Sequence, residues 1–361
     1  MEESSTADAD RLKDLKAFDD TKTGVKGLVD AGITKLPGIF IRPADELSED
    51  LNVGHSQKQV PVIDLGGIGS DDQHKIIVDQ IRRASEGWGF FQVVNHGIPA
   101  SVLEGMLDGT RKFHEQDTEL KKELYSRDPR KKVRFESNFD LYTAPSAAWV
   151  DSMIINLLRS NQLEPSELPE ICRTEAFDYV EHVTRLGETL FELLSEALGL
   201  TLENLNDMNC AKGRTVLCQY NPACPEPELT MGINRHTKPS FLTILLQDQI
   251  GGLQFLHNNL WTAVPPISGG LVVIISDLLQ IVSNDKFKSV ENRVLAKKTG
   301  PRISVACYFI GVREPPVTYG PAKELISEEN PPIYKEFTVM EYLSTVFKKS
   351  SGQSGVGLFK I

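Results

Sequence analysis

From residue 215 onward the chain breaks into short apolar runs at close intervals: Thr215–Tyr220, Phe241–Leu246, Leu253–Leu256, Leu260–Ala263, Leu271–Ile275, Ser289–Leu295 and Ile303–Phe309. Gly251-Gly252, Asn258-Asn259, Pro265-Pro266 and Gly269-Gly270 punctuate them, residue types that supply the backbone angles of tight turns. Upstream the apolar spacing is helical. Ile76, Ile77, Ile81 and Ala84 mark a helix over 71–86, a second covers 99–113, and Phe177, Val180, Val183, Leu186, Leu190, Leu193, Leu194 and Leu198 share one face of 176–198. Gln59–Leu65 and Phe90–Val94 are further strand candidates. Helices first and many short strands later predict a mainly β protein with flanking helices, an antiparallel sandwich or barrel on a helical frame. Phe337–Lys348 reads as a last amphipathic helix, packed outside or over a mouth.

The expected organisation is an arm and linker over 1–57, an N-terminal region over 58–165 and a framework helix within 166–209. The β-rich domain follows over 210–315, with a lid helix and tail over 316–361. Within the arm, residues 1–25 suggest a frayed helix, and Pro37, Pro43 and the polar stretch 48–58 read as linker.

Charge narrows the function. Lys and Arg number 39 against 50 Asp and Glu, a formal net charge of −11. An acidic chain without clustered positive charge is a poor nucleic-acid binder. No apolar run reaches the length of a membrane span, and the acidic, polar Met1–Asp10 is unlike a signal peptide. Five scattered cysteines without paired spacing suit reduced thiols. The expectation is a cytoplasmic protein with a small-molecule partner.

Alternate residues of a strand share a face, so Arg302, Ser304, Ala306 and Tyr308 point one way and Ile303, Val305, Cys307 and Phe309 the other, into a sheet-to-sheet core. Arginine with serine two residues on is a carboxylate clamp in outline, a guanidinium fork with a hydroxyl beside it.

The segments around this clamp carry a resemblance. Gly24–Gly32, Val60-Pro61-Val62-Ile63-Asp64-Leu65, Trp88–Gly97, Asn221-Pro222-Ala223-Cys224-Pro225 and Asn284–Val290 resemble the plant soluble 2-oxoglutarate/Fe(II)-dependent dioxygenases, over nearly the whole chain. That family includes flavonoid, gibberellin and alkaloid oxygenases and 1-aminocyclopropane-1-carboxylate oxidase with its homologues. The resemblance implies a double-stranded β-helix, or jelly roll, with an N-terminal helical region and a pocket inside the barrel. It also implies a monomer. Arg302 and Ser304 fall on the positions that hold 2-oxoglutarate, with Tyr220 near them.

The family's iron is held by a His-x-Asp pair and a distal His. Here His236 falls on the first position, Lys238 on the Asp position and Asn292 on the distal His position. An ammonium repels the ion: one charge pair at about 4 Å and an effective dielectric near 20 is worth ~4 kcal/mol, and a dication roughly doubles that. Glu291 and Asp277 are the nearby acids that would have to substitute, and Glu291 should face away from Asn292. Asn138–Asp151 resembles a family segment with Val150 in place of its Arg, and Ser276 replaces a family Gly.

On these grounds the expectation is iron-independent, non-oxidative acid–base chemistry on a small plant metabolite such as an alkaloid or terpenoid, by an isomerase, epimerase or cyclase. Lys238 beside His236 would be the base or the Schiff-base nucleophile, and Asn292 an oxyanion donor. Iron is not expected as a cofactor, and 2-oxoglutarate binding is left open. The alternatives are an inactive homologue that binds a small molecule, and a hydroxylase with unusual iron ligands. Phe241, Leu242, Phe309, Val339, Tyr342, Leu343 and Phe347 are the candidates for pocket wall and lid.

Overall fold

The computed structural model describes residues 2–52, 54–56, 58–158, 162–348 and 355–361. In chain order it runs α1 (Glu2–Thr21), α2 (Gly24–Asp30), α3 (Ala44–Asn52), β1 (His55–Ser56), β2 (Val62–Asp64), α4 (Asp71–Gly87), β3 (Phe90–Val94), α5 (Ala100–Glu115), α6 (Thr118–Leu124), β4 (Val133–Ser137) and β5 (Asp151–Leu157). Then come α7 (Arg173–Leu198), α8 (Asn204–Asp207), β6 (Arg214–Asn221), β7 (Met231–His236), β8 (Leu242–Gln247), β9 (Leu253–His257), β10 (Leu260–Ala263), β11 (Leu271–Ile275), α9 (Asp277–Val282), β12 (Asn292–Leu295) and β13 (Arg302–Phe309). The chain closes with β14 (Thr318–Tyr319), β15 (Phe337–Thr338) and α10 (Val339–Lys348).

Two sheets face each other. The major one has the order β2-β3-β11-β8-β13-β6-β5-β4 and the minor one β1-β10-β9-β12-β7. Most neighbours are antiparallel, with β2–β3 and β1–β10 parallel. Alternation within each major-sheet strand sorts its side chains to two cores. Phe90, Leu245, Val272, Ile274 and Ala306 point inward to meet Leu253, Phe255 and Val294 of the minor sheet. Phe90 and Phe255 stack across the gap at 3.8 Å, adding about 0.5–1.5 kcal/mol beyond their buried area.

The other face of the major sheet is covered by helices. Val305, Cys307 and Phe309 pack with Ile77 and Ile81 of α4, Met106 of α5 and Leu190 and Phe191 of α7. The face expected to fill a sheet-to-sheet core therefore fills a sheet-to-helix one, because the minor sheet lies on the Arg302 side. For the same reason Phe241, Leu242, Phe309, Val339, Tyr342 and Leu343 belong to this outer core and not to a pocket wall; the Phe347 side chain lies outside the described residues.

The arm is bound to the barrel. Leu15, Phe18, Val25, Phe40 and Trp149 form a core of their own, and the stretch read as linker contains the end of α3 and β1. Asp151, fully buried, accepts from the amides of Val25 and Lys26, each at 2.8 Å. Gly24 makes that approach with φ +68°, and a Cβ there would lie 2.3 Å from Asp151 Oδ1. Gly24→Ala should therefore cost about 2 kcal/mol or more of stability, since the left-handed conformation alone costs a side chain ~1–2 kcal/mol. Denaturant unfolding of the variant measures it.

Candidate active site

Two polar groups line the barrel, one on β13 near its start and one near its end, with Ala306 and Leu245 between them along the inner wall. The first group surrounds Arg302. The paired glycines Gly251 and Gly252, at φ +73° and +97°, turn the chain so that the Gly251 carbonyl accepts from Arg302 Nε at 2.8 Å. Nη1 donates to Ser304 Oγ at 2.8 Å and to Asn221 Oδ1 at 3.4 Å, and Nη2 to Gln247 Oε1 at 3.3 Å. Ser304 Oγ donates in turn to Gln219 Oε1 at 3.4 Å.

Arg302 is 2% exposed, and no ion-pair partner is found for it among the described residues. Burial pushes its guanidinium down to about 10, opposed by the charge of Asp248, so it stays protonated at neutral pH. A buried cation whose partners are neutral amides, a hydroxyl and a carbonyl is an unfinished ion pair. Such a cradle suits an anionic group.

Tyr220 is not part of this cradle. Arg302 pairs with Asn221 and Ser304 with Gln219, which puts Tyr220 opposite Ile303 on the outer face. Its hydroxyl donates to Glu115 at 3.0 Å and its ring stacks on His114. Strand parity decides against it, and the residues that line the cradle instead are Asn221, Gln219 and Gln247. Their signal was a polar side chain interrupting an apolar run on the same parity as the clamp.

The second group gathers at the end of β7. Asn292 stands opposite His236 and donates from Nδ2 to the His236 carbonyl at 2.9 Å, so the amide expected to serve an oxyanion spends a hydrogen on the backbone. His236 Nδ1 meets the Asn234 carbonyl at 2.8 Å, which assigns the proton to Nδ1 and leaves Nε2 as acceptor. Lys238 Nζ donates to that Nε2 at 3.3 Å and to Tyr308 Oη at 3.4 Å.

Burial pushes Lys238 down to about 7 against the pull of Asp277. Burial, then the Lys238 charge, pushes His236 down to about 3. Asp277 itself receives hydrogen bonds from Thr237 at 2.9 Å, Ser289 at 2.6 Å and Tyr342 at 3.0 Å. Glu291 turns outward to Arg235, at 2.5 Å.

This fold is that of the oxygenase jelly rolls. The chain belongs to the 2OG-Fe(II) oxygenase superfamily. Residues 213–310 match the model of that name, and residues 60–171 match the model described as non-haem dioxygenase in morphine synthesis N-terminal. The 1-aminocyclopropane-1-carboxylate oxidase homolog 1 of Arabidopsis thaliana is 51% identical over 355 residues, covering 98% of this chain and 97% of that one. Deacetoxyvindoline 4-hydroxylase of Catharanthus roseus is 51% identical over 352 residues, covering 95% and 87%. The crystal structure of JOX2 in complex with 2OG, Fe and JA superposes with a TM-score of 0.81 at 29% identity, covering 94% of this chain and 97% of that one.

These relatives correct two expectations. A hydroxylase at 51% identity and a structural neighbour carrying Fe and 2OG overturn the iron-independent, non-oxidative isomerase, and with it the expectation that iron is not a cofactor. The members of the family are oxidising enzymes. The isomerase reading weighed two substituted ligand positions, Lys238 and Asn292, above a likeness that spans the chain.

The donors of this chain are a separate matter. Around His236 the resemblance places one imidazole, one amine and one amide, and among the described residues no cluster of three His, Cys, Asp or Glu side chains is positioned for a metal ion. Neither acid that would have to substitute turns to the site: Glu291 pairs with Arg235, and both oxygens of Asp277 already accept hydrogen bonds from hydroxyls. The set does not fit Fe(II) as two imidazoles and a carboxylate do.

Proposed function

We propose that the barrel binds 2-oxoglutarate, with its distal carboxylate on Arg302 and Ser304, together with a small organic molecule of specialised metabolism. The observation that carries this reading is the buried Arg302, hydrogen-bonded on three nitrogens and lacking a counter-charge. Ala306, Leu245, Val272 and Val294 supply an apolar wall beside the cradle, suited to a methylene chain or a hydrocarbon face. The reaction class that the relatives support is oxidation of that molecule coupled to 2-oxoglutarate.

Lys238 and Asn292 favour a second reading, a homologue that binds both ligands and does not turn them over. One experiment separates the two. Purified protein is incubated with Fe(II), ascorbate, oxygen and 2-oxoglutarate, and succinate is followed by proton NMR with and without candidate alkaloids and organic acids. The first reading expects succinate above the protein-free rate. Saturable 2-oxoglutarate binding with no succinate supports the second, and absence of binding contradicts both.

A further inference from the structure

Gln247 ends β8 directly opposite Ser304 of β13, so the two side chains stand about 4.5–5.5 Å apart on the inner wall. Its orientation is dictated by its neighbour. Arg302 Nη2 has only hydrogens to offer, so the amide must present Oε1 to it, as observed at 3.3 Å; a flipped amide would set N–H against N–H. The amino group then faces away from the guanidinium. Gln247 is 6% exposed, and its Nε2 is buried without a hydrogen-bond partner.

Leaving such a donor unpaired costs the full desolvation of the group. Buried polar atoms in folded proteins almost always have a partner, and an orphan points to a missing one. The orphan here stands on the arginine whose counter-charge is also missing. One carboxylate would answer both deficits: it has lone pairs for the guanidinium and the Ser304 hydroxyl, and a further one for an amide N–H.

We propose that Gln247 is a binding residue for the carboxylate held at Arg302 and Ser304, donating from Nε2 to it. The cradle is then specific for an acid group, because Arg302 Nη2 and Gln247 Nε2 each have a hydrogen left to give and the Ser304 hydroxyl, now on Gln219, rotates freely to a better acceptor. This rests on the 2-oxoglutarate reading and adds to it the residue that completes the carboxylate's hydrogen bonds.

The test uses the full-length protein and 2-oxoglutarate as probe. Gln247→Leu removes the donor and should weaken binding by calorimetry about 10- to 100-fold, the range of a hydrogen bond to a charged group. The side-chain amide signal of Gln247 in a nitrogen-15 correlation spectrum, assigned by its absence from that variant, should move downfield as 2-oxoglutarate is added. A purely supporting role through Oε1 would weaken binding in the variant and leave the Nε2 protons of the wild type unshifted, which overturns the proposal. Equal affinity in variant and wild type overturns it too, and assigns Nε2 to an ordered water. If wild type binds and Arg302→Leu does not, failure at Gln247 leaves the broader reading standing. If wild type does not bind at all, both fall.

Discussion

Replacing Arg302 with leucine should abolish measurable 2-oxoglutarate binding while leaving the ligand-free protein folded. Truncating one side of a buried, hydrogen-bonded charge pair costs about 2–5 kcal/mol, a roughly 30- to 5,000-fold loss of affinity. The stability effect is smaller because two terms oppose each other. Leucine orphans the Gly251 carbonyl and the Gln247 and Asn221 amide oxygens that Arg302 now satisfies. It also removes a desolvated cation, whose burial is visible in a guanidinium pushed down to about 10. Calorimetric titration reads the first effect and thermal melting the second, with a melting shift of a few degrees at most. A variant that still binds as wild type would mean that the anion sits elsewhere.

The second large effect belongs to Lys238. Its folded-state pKa is about 7 because it is buried, whereas an unfolded lysine titrates near 10.4. Between those values the unfolded chain holds a proton that the folded chain has lost, so stability rises with pH across that window. As pH falls from about 10 to 7 the penalty grows, and below 7 it stays constant. Lys238→Met should therefore stabilise the ligand-free protein at pH 7 by about 3 kcal/mol. That is less than the full shift at ~1.36 kcal/mol per unit, because the contacts to His236 and Tyr308 are lost as well. The advantage should narrow towards pH 9. Urea unfolding of both proteins at the two pH values checks it. A gap that does not change with pH would show that Lys238 keeps its proton inside the barrel.

Much of the barrel was legible because its strands are buried on both faces. Leu242–Gln247 and Leu271–Ile275 lie wholly in the interior, and such runs read as continuous apolar stretches. β7 escaped because Met231–His236 carries Asn, Arg and His and lies at the barrel's edge, half open along most of its length. β4 escaped for a related reason. Arg134 and Glu136 bury their charge as a pair at 3.3 Å, and no residue pattern announces that two charged residues on one strand will neutralise each other.

The site divides the same way. Arg302 and Ser304 were legible because a two-residue spacing on a strand fixes a shared face. Tyr220 was misplaced because nearness in sequence to Asn221-Pro222 says nothing of parity, and the register with β13 reverses it. Gln219 and Gln247 were missed because an amide carries no charge and forms no motif. Only the structure reveals that Nε2 of Gln247 is buried with nothing to bond.

Whether the barrel holds an oxo-acid on Arg302 is read from a crystal structure of the wild-type protein grown without oxygen in the presence of 2-oxoglutarate. One molecule is expected inside the barrel, its distal carboxylate bonded to the Arg302 guanidinium and the Ser304 hydroxyl and within hydrogen-bond distance of Gln247 Nε2. An ordered cradle without 2-oxoglutarate, or the ligand bound with its carboxylates away from Arg302, would contradict it.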